Sequence, residues 1–380
     1  MQKKTVWWII SLVVVTLLIV SCGRAEVEGE EEVEEVEEEE EVELPLAEDK
    51  VHQAYESRMN GEADSAKAVL EQIIAEDSTN AAAFYELART KHHIGLGNIP
   101  ELLGSLEDIQ QTIDKAVEND PDNVIYVFYK GYICFTRAYA AFMSAEPDAK
   151  EIVEEAVTTY ESVLSLKSDY YEAILSLVEI LAIPEDMGGD PSKAEAYASQ
   201  LEDMDEVYGA KARELLLPHD ADRVEFWQGI LENNQGNVIV LEQLGKAYLY
   251  QDKVEQGVEY LEEAMKTDPE KEILLLDLAR YHIMIAHRDE QKKETALPLA
   301  EEAINRYLDS EPILPLKAYA VFSLARIKLD LGDNEGAEEL LEKSRAIDPH
   351  CSEASGVPPL VLFAKPDEIS HYHGYFTRPF

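Results

Sequence analysis

The sequence predicts an all-α solenoid of about eight helix pairs, which stack along the chain in units of similar length. Two stretches of 34 residues, 238–271 and 318–351, follow one plan when they are laid over each other. In both, a first helix and a turn precede a second helix with a small residue, Gly257 or Ala337, and Asp-Pro closes the unit. Small residues let antiparallel helices touch, and proline cannot continue a helix, so each unit is predicted to be one helix pair.

This spacing resembles the tetratricopeptide repeat (TPR) family, whose period is 34 residues. Leu244-Gly245 and Leu324-Ala325 stand at the seventh and eighth places of their units, where the family has a large and a small residue. The resemblance covers most of residues 47–351 and implies a right-handed solenoid whose first helices line a concave face. It leaves open what that face binds, because one fold serves many functions.

Residues 1–21 are predicted to be a lipoprotein signal peptide. A short basic start precedes an apolar run to Val20, which is typical of secretory signals. Residues 19–22 resemble the bacterial lipobox, and this resemblance implies cleavage before Cys22 and lipidation of that cysteine. The alternative is an uncleaved anchor helix, because the run is near the lower length limit for a membrane span.

Residues 22–46 are predicted to be a disordered tether. Between Glu26 and Glu43 there are 13 glutamates, and such a block repels itself and cannot bury a core. The tether would hold the solenoid away from an anionic surface. A calcium-collecting tail is the alternative, but the segment lacks the turn geometry of a calcium site.

The first two units differ from the plan. Residues 47–80 turn at Gly61-Glu62, after which small and apolar residues follow at the expected spacing. Residues 81–123 carry extra residues around 95–100, which we interpret as a lengthened loop between the two helices.

The third unit, residues 124–170, carries an aromatic stripe at helical spacing. Its members are Tyr126, Phe128, Tyr129, Tyr132, Phe135, Tyr139 and Phe142. Helical spacing favours core packing, and a lining for a ligand is the alternative.

The unit at 171–203 contains the turn 184–191, in which Gly188 and Gly189 allow positive φ and Asp190 caps the next helix. This short run resembles one in the TPR lipoprotein that accompanies some TRAP-type (tripartite ATP-independent periplasmic) solute transporters.

Two later units complete the count of eight. Residues 204–237 are degenerate but have the length of a helix pair. Residues 272–317 contain a polar stretch at 287–293, which is predicted to be an inserted turn.

Residues 352–380 leave the repeat pattern, and we expect this apolar and aromatic tail to pack on the solenoid. His371 and His373 form a His-x-His pair, which binds a metal only when further ligands converge. We favour packing and predict no metal site. Two further pairs rank lower as metal ligands: His92-His93 and His350-Cys351.

Composition excludes several functions. The formal net charge is −45, with 78 acidic against 33 basic residues, and such a surface repels nucleic acid. The three cysteines form no CxxC pair, which argues against a disulfide framework or a zinc ribbon. Nucleophile elbows, phosphate loops and zincin motifs are absent from the sequence, so we expect neither an enzyme nor a cofactor.

One pattern on the first helices indicates binding. In the TPR family the ninth place faces the concave surface, and four of the eight units here have a cation there: Arg89, Lys246, Arg280 and Arg326. Neighbouring concave places hold aromatic residues: Tyr85, Tyr250, Tyr319 and Phe322. One interpretation is ion pairing between units. The other is a groove that accepts an extended, acidic or carboxylate-bearing segment.

Together these features predict a membrane-anchored scaffold that binds a protein or peptide partner in its concave groove. The expected location is the bacterial cell envelope, at the outer membrane and facing the periplasm. The alternative is an accessory lipoprotein of a TRAP-type transporter, which holds a small solute or docks a solute-binding protein. Assembly into a homo-oligomer is left open.

Overall fold

The computed structural model describes residues 46–366, except 145, 147 and 355, and this part contains sixteen α-helices and no β-strand. The helices are α1 (Leu46–Met59), α2 (Ala63–Glu76), α3 (Ala81–Gly95), α4 (Ile99–Asn119), α5 (Val124–Met143), α6 (Ala149–Leu166), α7 (Tyr171–Leu181), α8 (Pro191–Met204), α9 (Glu206–Leu216), α10 (Arg223–Asn233), α11 (Val238–Tyr250), α12 (Val254–Thr267), α13 (Leu274–Arg288), α14 (Lys293–Asp309), α15 (Leu314–Asp330) and α16 (Asn334–Ile347). The predicted all-α fold is confirmed for these residues.

Some predictions concern residues that the structure does not describe. They are the signal peptide and the acidic tether, with Cys22, and the metal pair His371 and His373. Within the described ranges, every helix is too short or too polar to cross a membrane.

The helix boundaries follow from local chemistry. Eight helices begin after an Asn or Asp whose side chain accepts a backbone N–H of the first turn, which satisfies a donor that the helix leaves free. These residues are Asn80, Asn98, Asn123, Asp190, Asp205, Asp222, Asn237 and Asp333. At the other end, Asp268 and Asp348 adopt an extended conformation before proline and end α12 and α16, as the sequence predicts.

Consecutive helices pack as pairs in seven of the eight predicted units. The unit at 238–271 shows why small residues are needed where the helices cross. A Cβ on either Gly245 or Gly257 would lie 3.1 Å from the carbonyl oxygen of the other glycine. The close crossing buries Leu244 and Leu261 beside it, as large apolar residues fill the space left by the small ones.

The unit at 204–237 is an exception to the predicted pairing. Helix α9 packs mainly on α8 and α7, whereas α10 packs on α11, and α9 and α10 share only a small contact. The cause is the single residue Asp205, which ends α8 and caps α9, so that the chain folds back at once. Gly209 permits this, because a Cβ there would lie 2.3 Å from the Cα of Glu202.

The prediction of a lengthened loop around 95–100 is wrong. Helix α3 runs to Gly95 and α4 begins at Ile99, so only three residues separate them. The extra length lies in α4, which has 21 residues and buries one face of Leu and Ile. A helix gains one hydrogen bond per added residue, whereas a longer loop gains none. The turn predicted at 287–293 is shorter than expected. It comprises residues 289–292, between the end of α13 at Arg288 and the start of α14 at Lys293, and residues 290–292 form a short 3₁₀ helix.

In the turn 184–191 the two glycines have different roles. Gly188 has a φ of 100°, in the left-handed region that the sequence predicts for it. Gly189 is outside that region, and its role is close approach, because a Cβ there would lie 1.7 Å from the carbonyl oxygen of Ile183. Asp190 accepts the N–H of Lys193 at 3.0 Å and caps α8, as predicted.

The end of the last unit and the tail that follows it contact the first two units, an arrangement that we call the seam. Residues 347–364 form one side of the seam, and residues 55–97 form the other. At Gly61 a Cβ would lie 2.1 Å from the carbonyl oxygen of Ile347, and at Gly97 it would lie 3.0 Å from that of His350. The seam brings together residues that are more than 250 positions apart in the sequence.

Candidate functional site

The first of the four predicted groove cations, Arg89, lies buried in the seam. Its guanidinium donates hydrogen bonds to the main-chain carbonyls of Leu362, at 2.7 Å, and of Ala364. The hydroxyl of Tyr55 donates to the carbonyl of Phe363, between them, at 3.1 Å. Side chains of α1 and α3 therefore hold three consecutive carbonyls of a short C-terminal segment.

A buried carboxylate balances part of the charge of Arg89. Glu86 contacts Arg58, with Nε to Oε1 at 2.6 Å, and Arg89, with Nη1 to Oε2 at 3.2 Å. All three side chains are fully buried. The guanidinium of Arg89 also lies 5.1 Å from the ring centre of Tyr85, within the range of a cation–π interaction. Tyr85 is thus buried beside Arg89 and is not exposed in a groove.

The second cation, Lys246, takes part in ion pairs between units. Its ammonium lies 2.8 Å from Glu242 and 3.2 Å from Asp277, and Lys271 contacts Glu242 at 3.0 Å. Burial acts to raise the pKa of Glu242, but the two ammonium groups outweigh it and lower that pKa to about 2. For Lys246 the structure therefore matches the interpretation of ion pairing between units.

The other predicted groove residues are more accessible. Arg280 keeps a third of its side chain exposed and lies 3.8 Å from Asp277, while Arg326 is exposed. Tyr250 is 50% exposed. Phe322 is partly buried and Tyr319 is buried. Arg280, Arg326 and Tyr250 are thus the predicted residues that a partner could reach without moving other groups.

The aromatic stripe of α5 divides into a core part and an outer part. Four of its members are buried: Tyr126, Phe128, Tyr129 and Tyr132. Phe128 stacks on Tyr170 with ring centres 4.7 Å apart. Tyr139 is 50% exposed. The core interpretation of the stripe is therefore correct for its first half.

The seam also contains a buried cluster of His93, Asp348 and Cys351. The Nε2 atom of His93 lies 2.8 Å from Oδ2 of Asp348 and 3.2 Å from Sγ of Cys351. A nucleophilic triad needs the two imidazole nitrogens to face different partners, and here a single nitrogen faces both. Burial, followed by the charge of Asp348, raises the pKa of the Cys351 thiol well above its usual value. The cluster is therefore unsuited to nucleophilic catalysis.

The neighbouring His92 predicts a loss of stability in acid. Burial, helped by the charges of His93 and Arg58, lowers its pKa from 6.5 to about 3. The unfolded chain binds a proton there below pH 6.5 and the folded chain does not, so stability falls as the pH decreases from 6.5 towards 3. We expect His92 alone to contribute roughly 1.4 kcal/mol per pH unit in that window.

Urea unfolding of the parent chain and of the variant His92→Phe, at a series of pH values, measures this contribution. The free energy of unfolding of His92→Phe should depend less on pH than that of the parent. His52→Gln is the control, because His52 is exposed on α1 and its loss should leave the dependence unchanged. Equal dependence in the parent and His92→Phe would contradict the buried, neutral state of His92.

Sequence reasoning missed the residues that the seam brings together. The Glu86–Arg89 spacing of three places on α3 was a visible signal for an ion pair, but it does not reveal Arg58. The sequence pattern marks Asp348 only as the end of a unit, and the 258 positions between His93 and Cys351 hide the contact between them.

Comparisons with known proteins identify repeats in two regions. Tetratricopeptide repeat models match residues 240–271 and 285–350. No curated protein matches the chain. The two family models describe a repeat and not a catalytic domain.

Several solved structures resemble the chain at low identity. The MamA protein is 18% identical, with 59% of this chain and 93% of that chain covered and a TM-score of 0.27. YrrB, described as a TPR protein with an unusual peptide-binding site, is 18% identical, with 53% of this chain and 92% of that chain covered and a TM-score of 0.28. A tetratricopeptide repeat protein from Parabacteroides merdae ATCC 43184 is 16% identical, with 79% of this chain and 93% of that chain covered and a TM-score of 0.32.

Proposed function

We propose that this chain is a non-enzymatic scaffold that binds a protein or peptide segment on the surface formed by the first helices of its units. A stack of helix pairs presents an extended surface of this kind. The observation that carries the proposal is the contact of Arg89 and Tyr55 with three consecutive carbonyls at 362–364. It is an example, within the chain itself, of a cation at the ninth place holding a peptide backbone.

The accessible residues support a carboxylate-bearing partner. Arg280 and Arg326 occupy equivalent places in neighbouring units, and both are accessible, with Tyr250 exposed one unit earlier. A guanidinium binds carboxylates with two parallel hydrogen bonds. An acidic segment laid along these units would meet both cations, whereas Lys246 is already neutralised by Glu242 and Asp277.

The proposed location is the bacterial cell envelope, at the outer membrane and facing the periplasm. The lipobox-like residues that end at Cys22 support a lipid anchor, and the 13 glutamates that follow support an extended tether. The scaffold would then work within an assembly of envelope proteins.

The second candidate function is an accessory lipoprotein of a TRAP-type solute transporter. The feature in its favour is the run 184–191, which resembles one in that lipoprotein. The left-handed φ of Gly188 and the cap formed by Asp190 follow from the residue types and do not favour this alternative over any other TPR turn. Holding a solute would require an enclosed cavity. The cleft beside α4, α5 and α6 has a volume of about 640 Å³, but it opens to solvent, and its lining mixes Thr, Ser and Glu residues with Val117, Val127 and Leu166. Docking of a solute-binding protein is therefore the better form of this alternative.

The test is co-purification of envelope proteins with the full chain, extracted from membranes in detergent. We expect the double variant Arg280→Glu/Arg326→Glu to lose at least about tenfold of the bound partner, the effect of 1.4 kcal/mol. Lys266→Glu/Lys343→Glu is the matched control, because it changes the net charge equally at exposed residues of the second helices α12 and α16. It should retain the partner.

Three results would contradict parts of the proposal. Equal recovery with both double variants would exclude the two arginines as the binding site. Recovery of a solute-binding protein as the partner would favour the transporter accessory. Extraction of the chain without detergent would contradict the lipid anchor at Cys22.

A further inference from the structure

The buried cluster in the seam has the composition of a metal site. Among the described residues, His93, Asp348 and Cys351 are the one group of three or more His, Cys, Asp or Glu whose potential ligand atoms all lie within 4.8 Å of one another. An imidazole, a carboxylate and a thiolate are the three side-chain ligands that Zn²⁺ uses in proteins. We propose that these residues bind a divalent cation of the zinc class and thereby join the first and last units.

The distances fit a site of this size. Zinc bonds of about 2.0–2.3 Å in a tetrahedral arrangement place neighbouring ligand atoms roughly 3.3–3.7 Å apart. Here Nε2 of His93 lies 2.8 Å from Oδ2 of Asp348 and 3.2 Å from Sγ of Cys351. Outward shifts of a few tenths of an ångström would open the cluster around an ion. Such shifts are within the reach of rotations about the side-chain bonds.

The backbone positions two of the three ligands. The other oxygen of Asp348, Oδ1, accepts the N–H groups of His350 at 2.9 Å and Cys351 at 3.1 Å. These hydrogen bonds orient the carboxylate so that Oδ2 faces His93. A hydrogen bond to the second oxygen of a ligating carboxylate is a common support in metal sites. The short turn after α16 therefore presents both Asp348 and Cys351 to α3.

The charges around the cluster allow a cation. Arg58 is a nearby cation that opposes binding, and Glu86, at 2.6 Å, offsets only part of its charge because Arg89 shares the same carboxylate. The carboxylate of Asp348 and the thiolate of Cys351 would supply two negative charges at the ion itself. On binding, the S–H bond of Cys351 breaks, a sulfur–metal bond forms, and the proton leaves to solvent.

His350 is a candidate for a fourth ligand. Its ring centre lies 6.3 Å from that of His93, and its Nε2 atom now contacts Asp64 at 3.0 Å. Asp64 is exposed, so this contact is weak. Rotation of His350 away from Asp64, or a water molecule, would complete four-coordination.

The test uses Co²⁺ as the probe, because a cobalt–thiolate bond gives a charge-transfer band in the near ultraviolet that carboxylates do not give. The full chain is unfolded and refolded in detergent with Co²⁺, so that burial of the cluster does not block entry. We expect one bound Co²⁺ with this band per chain, loss of both in Cys351→Ser, and retention of both in Cys134→Ser. Cys134 is the matched control, a buried thiol on α5 outside the cluster.

The parent chain alone can overturn the proposal. The proposal is wrong if the refolded parent regains its helical circular dichroism but shows no cobalt–thiolate band. A band that persists in Cys351→Ser would assign the metal to another cysteine and would equally overturn it. As a second measurement, Zn²⁺ should raise the thermal unfolding temperature of the parent but not that of His93→Gln. The tether glutamates, which both chains share, cannot produce that difference.

Discussion

Replacement of Glu86 by glutamine is expected to lower the free energy of unfolding by about 3–5 kcal/mol. Glutamine keeps the shape of the side chain but removes its charge. Glu86 lies between the guanidinium groups of Arg58 and Arg89, and all three side chains are fully buried. The variant would leave two positive charges in the interior, and among the described residues Nη1 and Nη2 of Arg58 have no hydrogen-bond partner to compensate. The urea midpoint of unfolding measures the effect.

The control for Glu86→Gln is the same change at Glu71. That side chain is 55% exposed and lies 3.9 Å from Lys67 on α2. An exposed ion pair contributes little, so we expect Glu71→Gln to change stability by less than about 0.5 kcal/mol. Similar effects of the two substitutions would mean that water reaches Glu86 and that its charge is not buried.

The change Gly61→Ala is expected to cost about 3 kcal/mol or more and to open the seam. Two effects add. Gly61 has a φ of 81°, which alanine adopts only with strain. In addition, the new Cβ would lie 2.1 Å from the carbonyl oxygen of Ile347. A backbone carbonyl cannot rotate away like a side chain, so the two ends of the solenoid must separate.

Gly332→Ala is the matched control for Gly61→Ala. Gly332 has a φ of 83°, but its Cβ would meet no atom within 4 Å. We expect it to cost about 1–2 kcal/mol from backbone strain alone. Reaction of Cys351 with a thiol reagent should become faster in Gly61→Ala and should not change in Gly332→Ala. Equal unfolding midpoints and equal thiol reactivity would show that the seam contributes nothing to stability.

The repeat pattern predicted local structure well, because helix boundaries depend on neighbouring residues. Asn123 and Asp190 cap their helices by accepting N–H groups two or three positions away, and this requirement is visible in the sequence. The error around 95–100 has a different origin. A count of extra residues does not show whether they extend a loop or a helix. Here they extend the helix, because the longer α4 buries an apolar face.

The groove prediction depended on a family resemblance, which places a residue on a face but does not identify its neighbours. Arg280 and Arg326 remain accessible. Lys246 is neutralised by Asp277 from the next unit, and Arg89 is occupied by the carbonyls of Leu362 and Ala364. The outcomes for Lys246 and Arg89 depend on contacts with other units, and a repeat pattern carries no information about such contacts.

Residues within single units were enough to predict the helix pairs and the small residues at their crossings, because both depend on near neighbours in the chain. The acidic character follows from composition alone. The contact between the first and last units, by contrast, is a property of the tertiary structure. That contact depends on small rotations between successive units that add up along the whole stack. It buries His93 against Asp348 and Cys351, and Arg89 against residues 362–364. The proposed metal site and the observed peptide contact therefore both belong to the seam.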